Sequence, residues 1–216
     1  MRAARVVAGQ RLLRTYGELA ARGEHLLQGL IPDRRPVQWA HYPDDDAIDP
    51  TSGYQWFYHS HAPEDRPAEH EHGHIHLFAR RPLWSRRLRS RAERGFAALT
   101  GDHGTHVPTR HLVGVGLDAH GLPVSLFTVN SWVTGDRMLS APNTARLLAT
   151  MRLDTGHAAI DTVLEAVMTL CGDEIDALLA ERDATLARHA ADGVLEDRRL
   201  EVLSERSIAL DDKLGG

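Results

Sequence analysis

At 216 residues the chain is long enough to bury one core without a second domain, and 42% hydrophobic with 25% charged residues excludes a disordered or fibrous chain. A single cysteine, Cys171, excludes an intramolecular disulfide and a cysteine-based zinc framework. The formal net charge of −5 argues against broad electrostatic capture of nucleic acid, while leaving room for a local basic face.

Arginines at positions 2, 5, 11 and 14 interrupt the first apolar run, so it offers neither the core of a signal peptide nor a membrane span. A cytoplasmic location and no membrane partner are the expectation. From Ala4 to Leu30, Leu12, Tyr16, Leu19, Leu26, Leu27 and Leu30 recur at helical spacing, which predicts an amphipathic helix ended by Pro32 and Pro36. Residues 37 to 53 hold Tyr42-Pro43-Asp44-Asp45-Asp46 and Asp49-Pro50, and read as an acidic, turn-rich loop.

Tyr54 to His61 is aromatic-rich and reads as a strand, with Gln55, Phe57, His59 and His61 on one face and Tyr54, Trp56, Tyr58 and Ser60 on the other. A proline-containing loop, Ala62 to Pro67, leads to Ala68–Phe78, in which histidines occupy positions 70, 72, 74 and 76. A spacing of two puts four imidazoles on one side of a strand, opposite Glu71, Gly73, Ile75 and Leu77. An antiparallel pairing of the two strands brings His59 or His61 beside that row. Of the fourteen histidines, ten lie between His59 and His120, so the enrichment is local.

Arg80 to Arg94 carries seven arginines around Leu83, Trp84 and Leu88, and predicts a helix packed on the sheet with Arg87, Arg91 and Arg94 outward. The face suits an anionic substrate, phosphate or RNA; the plainer reading is a solvated surface. His111–Asp118 and Pro123–Asn130 form a hairpin, with His111, Val113, Val115 and Leu117 on one face and Gly114 and Gly116 permitting close approach on the other. Beyond residue 136, Pro142–Leu153, Ala158–Cys171, Asp173–Ala190 and Leu195–Leu203 carry helical spacing. Their leucine seam would cover the sheet or make a homodimer. Together these segments predict a single α+β domain over 1–216: an N-terminal helix (1–31), a mainly antiparallel sheet with a histidine-lined cleft (37–137) and C-terminal helices (142–210).

Strand geometry limits how many histidines can share one ion, since i and i+2 sit about 6.6 Å apart at Cα and i and i+4 about 13 Å. A mononuclear site therefore takes two from the row and the rest from neighbouring strands. The favoured ligands are His72, His74 and His111, with His59, His61 and His76 as substitutes. Three imidazoles suit zinc, iron or copper and leave a coordination position open for a small-molecule substrate, with hydrolytic and oxidative chemistry both open and a non-catalytic metal-binding or accessory role as a further alternative. The arrangement resembles the three-histidine zinc site of carbonic anhydrases in ligand type and strand placement. A row histidine not bound to metal, His76 among them, would serve as proton carrier. Glu71 has the wrong parity for a ligand unless a bulge re-aims it.

His72-Gly73-His74-Ile75-His76-Leu77-Phe78 also resembles the alternating signature of histidine-triad nucleotide hydrolases and transferases, with Gly53-Tyr54, Glu64-Asp65 and Arg80-Arg81 in that family's local order. That resemblance implies a catalytic nucleophile at His74, supported by His72 and His76, attacking an α-phosphate. A third similarity is to an uncharacterised bacterial domain family. It rests on Glu71-His72-Gly73-His74-x-His76, on His111-Leu112-Val113 and on Leu126-Phe127-Thr128-x-Asn130-x-Trp132-Val133-Thr134-Gly135. It implies one domain across these segments and no particular activity.

Overall fold

The aromatic segment after Gly53 and the histidine segment after residue 72 alternate their side chains with period two, and each becomes a central strand of one sheet. The computed structural model describes residues 2–31, 37–60, 71–102 and 106–214. Among these the strands are β1 (Tyr42–Ile48), β2 (Tyr54–Ser60), β3 (Gly73–Arg80), β4 (Thr109–Leu117), β5 (Pro123–Val129), β6 (Arg137–Met138) and β7 (Val202–Ser207). The order is β1-β2-β3-β4-β5-β7 with antiparallel neighbours, and the short β6 pairs parallel with β4. The helices are α1 (Arg2–Ala21), α2 (Arg81–Trp84), α3 (Arg91–Thr100), α4 (Ser131–Thr134), α5 (Ala141–Ala149), α6 (Ala158–Leu170), α7 (Gly172–Arg188) and α8 (Leu210–Leu214). The fold is α+β, with the antiparallel sheet that the alternation predicts.

One face of the sheet is the core. Trp56, Tyr58, Ile75, Leu77, Val113, Val115 and Leu126 lie in one buried cluster with Leu164, Val167, Leu178 and Leu179 of α6 and α7. Each such aliphatic side chain, once fully buried, contributes about 1.5–3 kcal/mol. The polar tips of the aromatic residues tie β2 to its helices. Trp56 Nε1 donates to Asp161 Oδ1 at 3.0 Å, and the Tyr54 hydroxyl donates to the Leu147 carbonyl at 2.9 Å. The C-terminal seam is used within the chain: Leu164, Val167, Met168, Leu170, Ile175, Leu178, Leu179 and Leu186 are all buried there, so these side chains cover the sheet rather than face a second copy.

Several elements depart from the sequence reading. The helix expected over Arg80–Arg94 is broken into α2, a 3₁₀ turn (Arg87–Arg89) and α3, with Ser90 extended before α3 as its cap and Arg87 half-buried rather than outward. The short β6 lies where only helices were expected. The N-terminal helix stops at Ala21, where Gly23 adopts a left-handed φ of 67°, and Leu26, Leu27 and Leu30 are buried from turns instead. The acidic stretch Tyr42–Ile48 is an edge strand, bulged so that Asp46 (φ 53°) reaches His41 Nδ1 and Gln55 Nε2. The segment read as a fourth C-terminal helix is a 3₁₀ turn (Val194–Glu196) followed by β7 at the opposite edge.

Candidate metal centre

The second sheet face carries the histidines. Register places His59 opposite His74 and Phe57 opposite His76 across β2 and β3; Gly116 then stands opposite His74, and Gly114 opposite His76, across β3 and β4. Directly paired residues project to the same side, so these side chains meet. A bulge between β3 and β4 pairs Leu77 with Val113 but Phe78 with His111, leaving Leu112 as the extra residue. That irregularity reverses the side on which His111 projects. The expected grouping of His111 with Val113, Val115 and Leu117 is thus corrected: His111 joins the histidine face, and the valines keep to the core.

His59, His74 and His76 each offer one nitrogen, and these three atoms lie within 4.8 Å of one another. His59 Nε2 and His74 Nε2 approach to 2.5 Å. His74 and His76 are each 2% exposed, while His59 is half-buried and forms the open side. The Nδ1 atoms of His74 and His76 are occupied. His74 Nδ1 donates to Glu71 Oε1 at 2.8 Å, and the other oxygen of that carboxylate accepts from the Ser125 hydroxyl at 3.0 Å. His76 Nδ1 and His111 Nε2 are 2.9 Å apart. Complete burial, reinforced by the Arg182 charge, pushes the His111 pKa down to about 3, so at neutral pH that ring is uncharged. Assigned from this network, His111 accepts from His76 Nδ1–H, and His74 and His76 both turn Nε2 lone pairs toward the same point.

Glycine makes the close packing here feasible. A Cβ at Gly116 would overlap Ser125 Oγ and the Glu71 carboxylate, and one at Gly114 would overlap the Phe127 ring. The aromatic wall then fixes the imidazoles: Phe127 stands 4.8 Å from His74, Phe57 5.3 Å from His76, and His41 stacks on Phe57 at 3.6 Å between centroids.

The donor set fits a transition ion. Bonds of about 2.0–2.1 Å put tetrahedral ligand nitrogens roughly 3.4 Å apart, within the span these three occupy. Without a cation His59 Nε2–H can donate to the His74 Nε2 lone pair, and a bound ion would replace that proton and accept the lone pairs together. A ligating histidine whose second nitrogen is held by a carboxylate or another acceptor is the usual supporting arrangement.

Residues 6–208 match a protein family described as Domain of unknown function (DUF6969). The chain belongs to that family. No curated protein and no solved structure matches it. DUF6969 membership agrees with the similarity to an uncharacterised family, and the comparisons lend no support to the histidine-triad one.

Of the ligands expected from sequence, His74 and the substitutes His59 and His76 come together in this DUF6969 chain. His111 stands one hydrogen bond behind His76. His72 departs: β3 begins only at Gly73, so the alternation does not extend to residue 72. Its exposed ring meets the Tyr58 hydroxyl at 3.0 Å, and Tyr58 belongs to the core face. This also removes His72 from the two supports expected around His74. His61 lies outside the described residues. Glu71 was set aside on strand parity and is nonetheless at the site, because it too precedes the strand. The sequence signal available was a carboxylate three residues before a strand histidine, with glycines on the neighbouring strand to admit it. No described helix is long and apolar enough to cross a membrane.

Proposed function

We propose that the protein holds one transition metal ion through the Nε2 atoms of His59, His74 and His76, and that it is a metal-dependent enzyme acting on a small molecule. The observation that carries this reading is the opposed pairing of the ring nitrogens: Glu71 and His111 take the Nδ1 atoms of His74 and His76, leaving both Nε2 atoms to converge with His59. Three neutral nitrogen ligands without thiolate suit zinc, iron or copper. When bound, such an ion supplies an activated water or an oxygen-binding position at its open coordination site.

The chain's own residues have separable roles in this account. His59 lies at the solvent side, where a small molecule would enter. Glu71 fixes the tautomer of His74 and raises its basicity. His111 orients His76 and, uncharged at neutral pH, holds only its single Nδ1 proton there. His76, the row histidine expected to carry protons, is committed as a ligand in this account.

The test is a metal titration of chelator-stripped protein against a competing chromophoric chelator. His59→Ala, His74→Ala and His76→Ala should each abolish tight binding, and His72→Ala should leave it unchanged. Tight binding that survives His74→Ala, or is lost in His72→Ala alone, contradicts the assignment. Catalysis is read separately, as turnover of small esters or oxygen uptake that requires reloaded metal and is absent from His74→Ala.

A further inference from the structure

Beyond β3 the chain concentrates positive charge. Seven of the fifteen residues from Arg80 to Arg94 are arginine, in a protein of formal net charge −5. Arg81, Arg86, Arg89, Arg91 and Arg94 are exposed. The one acid of the stretch, Glu93, is 5% exposed and turned inward, where Oε1 accepts from the Ser140 amide and hydroxyl and from Asn143 Nδ2. It neutralises nothing at the surface.

The face is continuous with α5. Asn143 Nδ2 donates to Ser90 Oγ at 2.9 Å, tying the start of α3 to α5 and bringing Arg146 alongside. Arg87 and Arg152 both lie within electrostatic reach of the Tyr54 hydroxyl. Among the described residues, none of these nine arginines has a carboxylate within 4.0 Å; elsewhere seven arginines do and only the scattered Arg2, Arg14, Arg188 and Arg198 share that state, so the concentration is local to this face. Local physics also disfavours the arrangement. Arg91 opens α3, where the helix dipole repels a cation, and Arg94 follows one turn later on the same side. Such crowding of like charge is relieved by an external polyanion.

We propose that this arginine face binds the phosphate backbone of a nucleic-acid duplex. The composition of the face selects that partner. It presents no exposed large hydrophobic side chain, the anchor an anionic membrane surface would use. It presents no exposed aromatic ring either, and stacking platforms are the mark of single-strand binders. What it offers is guanidinium forks, which match phosphates without reading bases. Arg80 ends β3 about 13 Å beyond His76, so the face is separate from the metal centre and stands independently of it.

The experiment is fluorescence anisotropy of the full chain with a labelled mixed-sequence DNA duplex of about 20 base pairs, from about 50 to 200 mM salt. Saturable binding at low salt is expected, with log affinity falling linearly against log salt. The triple variant Arg86→Ala/Arg89→Ala/Arg94→Ala should weaken binding at least about tenfold and flatten the slope by roughly 2–3, near 0.9 for each lost phosphate contact. Arg86→Lys/Arg89→Lys/Arg94→Lys should retain most of it, and Arg22→Ala, on a guanidinium paired with Glu24, should change nothing. Absence of saturable binding at low salt overturns the proposal. So does an alanine triple that keeps its unfolding temperature and binds like the wild type, as does tighter binding to single strands or to anionic phospholipid vesicles than to the duplex.

Discussion

Replacing Glu71 by glutamine isolates what the carboxylate contributes to the metal centre. The side chain is 2% exposed, accepts from His74 Nδ1 at 2.8 Å and from Ser125 Oγ at 3.0 Å, and glutamine can keep both bonds by accepting from the imidazole and donating to the hydroxyl. The geometry is retained and the negative charge is lost. Loss of such a supporting partner lowers metal affinity by about 10–100-fold, or roughly 1.4–2.7 kcal/mol. Glu71→Ala should be worse than Glu71→Gln, since it also leaves the buried Nδ1–H without an acceptor. The assay is competition between the apoprotein and a chelator of known affinity at neutral pH, with thermal unfolding of the metal-free proteins as a control. Equal affinities for wild type and both variants would refute the claim that Glu71 tunes a ligand.

Three further outcomes are expected. Gly116→Ala places a Cβ against Ser125 and the Glu71 carboxylate, so overpacking should destabilise the fold by about 1–3 kcal/mol in urea unfolding and weaken metal binding together. His111 has a folded pKa near 3 against 6.5 for the free side chain, so the unfolded chain binds the extra proton, and its contribution is fully present above pH 6.5 and lost as pH falls toward 3. Between pH 6.5 and 5 the metal-free wild type should therefore lose more stability than His111→Gln, by on the order of 1–2 kcal/mol, and parallel pH curves would contradict this. Leu164→Ala, in the core and away from the histidines, should lower stability by about 2–5 kcal/mol while leaving metal stoichiometry intact.

The central strands were legible because period-two patterning is strongest where both faces are committed, as in Tyr54–Ser60 with its aromatics and Gly73–Arg80 with its histidines. Three strands were missed from sequence: the two-residue β6, and β1 and β7, which are the edges of the sheet. Edge strands are commonly charged to discourage further pairing; Tyr42–Ile48 accordingly reads as an acidic loop, while leucines at 195, 200 and 203 mimic helical spacing across a turn and a strand. At the site, convergence of strand histidines was readable, but which ones was not. Two local events decided it: the start of β3 at Gly73, which releases His72 and recruits Glu71, and the bulge at Leu112, which turns His111 onto the histidine face. Neither alters hydrophobic periodicity, so neither shows in the pattern.

The most direct measurement is elemental analysis of the protein purified without a histidine tag and without chelators. The account predicts about one zinc, iron or copper ion per chain, absent from His74→Ala and from His76→Ala but retained by His72→Ala. Wild-type protein that carries no transition metal, and takes none up on dialysis against these ions, would contradict it.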